Sequence, residues 1–194
     1  LVRSRGLGLL GEVFRDSETI HQLYGTSAIG HVRYATAGNH GVENIQPMLF
    51  SHDEVGEFAL AHNGNLTNAD TIRGELREKG VTFQATSDSE LLGELVTTSD
   101  EDGFINQLKA SLNHIHGGFA YLLMTPHMMV AALDPNGFRP LVVGKMPDGA
   151  TVICSETCAL DQVGASFVRD VEPGEIIIVT DEGMKIDHFT TDTH

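Results

Sequence analysis

Apolar residues fall along this chain in two rhythms, and the switch between them predicts its elements. Short, nearly unbroken apolar runs at residues 7–14, 28–33 and 58–62 predict strands. From Thr67 the spacing changes to three and four. A first helix carries Ala69, Ile72 and Leu76 on one face, with Asp70 in a capping position, and stops at Lys79-Gly80. A second opens on Ser87-Asp88-Ser89-Glu90, which fits a capping box, and buries Leu91, Leu92, Leu95 and Val96. A third carries Phe104, Ile105, Leu108, Leu112 and Ile115 and ends at Gly117-Gly118. The short runs then return as "FAYLLM", "MMVAAL", "PLVVG", "TVIC" and "EIIIV", with "DPNG" at 134–137 as a tight turn. Strands, then helices, then strands is not a βαβ alternation. It predicts an α+β layered domain with largely antiparallel sheets.

Composition narrows the picture. With 194 residues, 41% of them hydrophobic, and no repeat or Pro/Gly/Ser linker, the chain reads as one folded domain over 1–194. No apolar run approaches the roughly 20 residues of a membrane helix, and the N-terminal "LVRSRGLGLL" lacks the grammar of a signal peptide, so a cytoplasmic location is expected. Two cysteines, Cys154 and Cys158, do not make a disulfide framework. A net charge of −15 argues against nucleic acid or an anionic membrane as partner. The start at Leu1-Val2-Arg3, without methionine, reads as a stretch of something longer.

Several motifs have ordinary explanations. Gly6-Leu7-Gly8-Leu9-Leu10-Gly11 matches G-x-G-x-x-G. It lacks the preceding strand, the following helix pattern and the later carboxylate of a dinucleotide site, so a glycine-rich strand is expected. Of ten histidines only His114 and His116 form a close pair, at a helix end and without further ligands at metal spacing. Cys158, in a first helical turn, is a conceivable nucleophile, but a small buried thiol is the simpler reading.

Three other features make sense together. Arg33, in phase with Ile29 and His31, is a fork that can grip a carboxylate. Asp88 opens a helix and can meet an ammonium. In "LAHNGNLTNA" an amide and a glycine, Asn63 and Gly64, stand where a strand stops, able to offer two donors to one oxyanion. An α-amino acid head group needs the first two, and acyl transfer on its side chain needs the third. What is missing is a nucleophile.

"GHVRYATAG", "QPM", "LAHNGNLTNA", "TSDSELL", "ALDPNGFRPL", "SETCALD" and "RDVEPGEI" run in order from Gly30 to Ile176. Together they closely resemble the glutaminase domain of the amidophosphoribosyltransferase family, which belongs to the N-terminal-nucleophile (class II) glutamine amidotransferases. Tyr34, Ala37, "DPNGFRPL" and "SETCALD" favour it over glucosamine-6-phosphate synthase. The resemblance implies a four-layer αββα sandwich. Within it Arg33 would bind the glutamine α-carboxylate, Asp88 the α-ammonium, and Asn63 and Gly64 the oxyanion.

Ammonia would pass to a phosphoribosyltransferase domain and displace pyrophosphate from phosphoribosyl pyrophosphate, giving phosphoribosylamine at the start of purine synthesis. The resemblance also implies a homo-oligomeric full-length protein. Mg2+ serves the family, and an iron–sulfur cluster some members, with ligands outside this segment. Its nucleophile is an N-terminal cysteine that would precede Leu1, and the transferase domain would follow His194. The domain is therefore expected to be truncated at both ends and short of its first strands, and residues 1–194 alone to have no glutaminase activity. Three alternatives stay open: another class II amidotransferase, a non-catalytic amino-acid-binding domain, and a metal-dependent hydrolase built on the histidines.

Overall fold

The unbroken apolar runs are explained by a sheet that is covered on both faces. The computed structural model describes residues 1–33 and 41–193. Six antiparallel strands form the large sheet: β1 (Met48–His52), β2 (Gly56–Leu66), β3 (Gly117–Met124), β4 (Met129–Leu133), β8 (Glu175–Thr180) and β9 (Gly183–His188), adjacent in that order. Three more form a small antiparallel sheet ordered β6 (Thr151–Cys154), β5 (Val142–Lys145), β7 (Ser166–Asp170).

Alternate side chains divide between two cores. Phe58, Leu60, Phe119, Tyr121, Leu123, Val130 and Ile176 face a helical layer made of α3 (Ala69–Glu78), α4 (Ser89–Thr97) and α5 (Phe104–His114). Their neighbours Ala120, Ala131, Leu133 and Ile177 face the small sheet through Leu141, Val143 and Val171. The small sheet in turn buries Val142 against Leu160 of α6 (Thr157–Val163). The layers run helix, sheet, sheet, helix, as the resemblance implies.

The three long helices bury most of the residues their spacing predicts, with Ala69, Leu95 and Ile105 only half-buried. Their ends differ from expectation. The second helix has Asp88 at its N-cap without a side-chain cap, and Glu90 does not close a capping box. Instead the buried Glu90 carboxylate accepts from Gln84 N (2.8 Å) and Ala85 N (2.9 Å), fastening the loop that leads to Asp88. Gly117 and Gly118 open β3 rather than ending α5.

The first two predicted strands are not strands. Around residues 7–14 the chain bends into a four-residue helix, α1 (Leu10–Val13), and α2 (Ser17–Gln22) follows. Residues 28–33 carry no regular structure. Leu7, Leu9, Leu10 and Val32 are exposed, and none of them joins a sheet. The glycine-rich stretch at Gly6–Gly11 is thus not the expected strand. Arg3 and Arg5 hold the N-terminal stretch against the carbonyls of Pro47 (3.3 Å) and Ile45 (3.1 Å). Tyr34 and Ala37 lie outside the described residues.

Close approach of α4 to β1 sets one strict requirement. A β-carbon on Gly93 would stand 2.2 Å from the ring of Phe50, itself stacked on Phe58. Gly93→Ala should therefore destabilise by about 1–3 kcal/mol through overpacking, although alanine is the better helix former by about 1 kcal/mol. Denaturant unfolding checks this, and adding Phe50→Leu should restore part of the loss. A more stable Gly93→Ala variant would contradict the packing described.

Candidate active site

Strand β2 has eleven residues and its neighbour β1 only five, so β2 runs on past the end of β1. Register fixes which groups are left on that edge. Asn63 pairs with Ala120 and Gly64 with Phe119 on β3, while Met48, at the end of β1, pairs with Leu60. Phe119 turns its own N–H and carbonyl the other way, to Asp134 (Oδ2 at 3.1 Å, N at 2.9 Å). By the alternation of an antiparallel ladder, His62, Gly64 and Leu66 then present their backbone groups to the side β1 has vacated.

Side chains from elsewhere satisfy two of the three. The Gln46 amide stands in for a strand residue: its Oε1 accepts from His62 N, and its Nε2 donates to His62 O at 3.3 Å. At the far position Asp88 Oδ2 accepts from Leu66 N at 2.8 Å. Between them the Gly64 N–H has no hydrogen-bond partner among the described residues. Glycine is also what the crowding there allows, because a β-carbon on Gly64 would stand 2.2 Å from the Gly118 carbonyl oxygen and 2.8 Å from Phe119 Cα. Asn63, next to it, is exposed and turned to the face between the sheets.

The loop that delivers Asp88 is wired on both sides. Asn44 Oδ1 accepts from Thr86 N (3.0 Å) and Ser87 N (2.9 Å). The Arg73 guanidinium lies 4.3 Å over the Phe83 ring and donates to Ser87 O at 3.0 Å. Such contacts fix a carboxylate in place before any ligand arrives.

An open cleft of about 1150 Å³ between the sheets is lined by Arg33, Asn63, Gly64 and Asp88, so all four expected site residues share one space. Arg33 is exposed and Arg139 half-buried, and both guanidinium groups act on the imidazole of His62, giving the cleft local positive charge in a chain of net charge −15. Cys154 and Cys158 also border the cleft, on the side of the small sheet. Cys154 Sγ donates to Glu156 O at 3.3 Å, and Cys158 Sγ lies 3.6 Å from Glu156 Oε2. Burial, with Cys158 nearby, pushes the Cys154 thiol up.

The paired histidines stand elsewhere, His114 Nε2 at 2.7 Å from Glu75 Oε2 and His116 N donating to Asn68 Oδ1 at 2.9 Å. Among the described residues no three His, Cys, Asp or Glu side chains gather as metal ligands, and two cysteines do not make the ligand set of an iron–sulfur cluster. The residues present fit neither Mg2+ nor a cluster.

Beneath the strand, at the border of the cleft, His62 is buried and stacked on Tyr121 with ring centres 4.3 Å apart. Burial drives its pKa down to about 4, against the pull of Asp88; His31, Arg139 and Arg33 push the same way as burial. His31 is lowered too, chiefly by burial, although its ring is hydrogen-bonded to the His62 backbone. Burial, aided by Asp88, raises the Tyr121 hydroxyl. Sequence reasoning missed Gln46, His62, Ser89 and Arg139 as parts of this site. All four lie inside quoted motifs, Gln46 in "QPM", His62 in "LAHNGNLTNA", Ser89 in "TSDSELL" and Arg139 in "ALDPNGFRPL", but none was given a role.

Between about pH 4 and 6.5 the unfolded chain binds more protons at His62 than the folded one does. The stability tied to its neutral ring is therefore full above pH 6.5 and declines as pH falls toward 4. Melting temperatures taken across that window should fall with acid, and fall less steeply in His62→Leu. Equal slopes would show that His62 is not held neutral.

Residues 31–162 match the glutamine amidotransferase domain family. The amidophosphoribosyltransferase of Bacillus subtilis (strain 168) is 50% identical over 190 residues, 98% of this chain and 40% of that protein. A structure described as the allosteric regulatory enzyme of purine biosynthesis superposes with a TM-score of 0.93 at 48% identity, covering 98% of this chain and 40% of that one. The Bacillus subtilis glutamine phosphoribosylpyrophosphate amidotransferase complexed with ADP and GMP gives 0.89 at 48% identity, covering 96% and 40%. The chain thus spans about 40% of the length of these relatives. With its helix–sheet–sheet–helix sandwich and its cleft between the sheets, the chain belongs to the glutamine amidotransferase domain family.

Proposed function

We propose that this chain is the glutaminase part of an amidophosphoribosyltransferase. In this reading it binds glutamine and supports hydrolysis of the side-chain amide, and the ammonia forms phosphoribosylamine from phosphoribosyl pyrophosphate on a transferase domain. The observation that carries the reading is the edge of β2. An open Gly64 N–H stands beside the Asn63 amide, and two residues further the same edge is clamped by Asp88.

Glutamine lies along the cleft with its carboxylate on the Arg33 guanidinium and its ammonium on Asp88. Its amide carbonyl then points to Asn63 Nδ2 and Gly64 N–H. A thiolate adds to the amide carbon, the oxygen becomes an oxyanion held by those two donors, and the C–N bond breaks as ammonia leaves with a proton. Water then cleaves the thioester to glutamate. Loss of one preorganised donor at such a site typically costs about 3 kcal/mol of transition-state stabilisation.

The nucleophile in this reading is an N-terminal cysteine using its own α-amine as base, and neither cysteine of this chain takes that part. Neither thiol has a basic partner among the described residues, and the Cys154 thiol is held protonated by burial. Residues 1–194 alone are accordingly inert.

The test is glutamate release by the complete gene product that contains this sequence. Asn63→Ala should lower kcat by about 10²–10³ with KM changed only a few-fold, because the lost donor acts on the oxyanion rather than on bound glutamine. Asp88→Asn should act chiefly on KM. Cys154→Ser and Cys158→Ser should stay close to wild type. An unchanged kcat in Asn63→Ala sinks the oxyanion assignment, and loss of activity in Cys158→Ser moves the nucleophile into this chain.

A further inference from the structure

His62 is buried and borders the cleft, and its imidazole is tied to the proposed site on several sides. Its Nδ1 lies 3.1 Å from Ser89 Oγ and 3.8 Å from Asp88 Oδ1. Its Nε2 has no hydrogen-bond partner among the described residues, and a β-carbon on Gly64 would stand 2.8 Å from it, so the ring edge lies against the glycine. Its backbone is gripped by Gln46 and by the ring of His31, two residues before Arg33.

Ser89 Oγ, the first residue of α4, also accepts from Gln46 Nε2 (3.0 Å) and meets Ser87 Oγ (3.0 Å). These contacts join sequence positions 31, 46, 62 and 87–89 in one closed, buried polar network. Such a network is costly to place in a core and gives little net stability in return. A hydrophobic residue stacked on Tyr121 would fill the same space without it. What the network does supply is a fixed relation between the Asp88 carboxylate, on a helix, and the Asn63–Gly64 donors, on a strand.

We propose that His62 is a positioning residue for glutamine: through Ser89 and Asp88 it sets the ammonium-binding carboxylate in register with the oxyanion donors on β2. The inference rests on the glutaminase reading above. Asp88 meets the substrate ammonium before reaction as well as during it, so a displaced Asp88 weakens binding more than turnover. The groups packed around the ring, Asp88 from α4, Tyr121 from β3, His31 and Arg33 from the 28–33 segment and Arg139 after β4, include three basic side chains and one carboxylate. A positive charge on His62 would disturb that balance, so the neutral ring is the form that holds Asp88.

The experiment compares wild type, His62→Leu, His62→Asn and Asp88→Asn in the complete gene product. Each is assayed with glutamine and with 4-carbamoylbutanoate, the same amide without the α-ammonium. His62→Leu should raise KM for glutamine by about five- to twenty-fold, keep kcat within about three-fold, and reduce discrimination against the analogue by the same factor. His62→Asn, whose amide can reach Ser89 Oγ from the place of Nδ1, should recover most of both. In the Asp88→Asn background His62→Leu should add less than about two-fold, since the two act on one contact.

A ring that serves only packing would lower stability and leave KM, discrimination and the double-variant coupling as they are, and that result overturns the inference. If Asp88→Asn is strongly impaired while His62→Leu is not, the inference fails and the glutaminase reading stands. If Asp88→Asn itself discriminates like wild type, the reading fails. Should His62→Leu not fold, Ser89→Ala decides: it leaves the ring and removes the link, and is expected to raise KM at least three-fold, an unchanged KM counting against the proposal.

Discussion

A strand that outruns its neighbour must find other partners for its backbone, and the rest of this site depends on how β2 does so. Beyond Leu60 the edge once faced by β1 carries the N–H and carbonyl groups of His62, Gly64 and Leu66. Leaving such groups buried and unpaired costs about as much as a lost hydrogen bond each. Gln46 answers at His62 and Asp88 at Leu66. Both side chains are brought there by segments 16 to 22 residues away in sequence, and each arrives with its own supports. The open position between them follows from the arithmetic of the ladder.

In the proposed reading, that arrangement also lets a strongly acidic protein host an anionic transition state. Global charge acts through salt-screened solvent over roughly 8–10 Å and beyond it fades. Within the cleft the relevant groups are Arg33, Arg139 and the neutral amide and backbone donors. Backbone N–H groups carry no counter-ion and need no reorientation as charge develops. Burial supplies the complement beneath the strand, where it keeps the His62 ring uncharged although Asp88 is near, so that no third cation competes for that carboxylate.

The fold was legible where periodicity had a physical cause and illegible where long-range contact decided. Ile72, Leu76, Leu91, Leu92, Leu108 and Leu112 are buried as their spacing predicts, because one helical face meets one sheet. The run at 7–14 misled because an apolar run becomes a strand only where it pairs with another, and this one bends into a four-residue helix instead. Glu90 sat at the right offset for a capping box. Its carboxylate found two stronger donors at Gln84 and Ala85, a choice made by the loop and not by the helix. Of the site, Asn63, Gly64, Arg33 and Asp88 could be read from residue types that suit an amino-acid amide. Gln46 and Ser89 could not, since a glutamine 16 residues from its strand partner and a serine 27 from its histidine have no spacing signature.

Gly64 shows how tightly these demands are joined. Cross-strand crowding from Gly118 and Phe119 excludes a side chain, and the register leaves its N–H open. On the other strand the same closeness requires Gly117 to be without a side chain, a β-carbon there standing 2.2 Å from Asn65 O. Two glycines that the helical spacing suggests are a terminator thus belong to β3, the strand paired with β2. Packing and chemistry make the same request at position 64, so stability alone would retain this glycine even if no substrate were ever bound. The separable evidence for function lies in neighbours such as Asn63, exposed and under no packing constraint, whose amide the fold does not need.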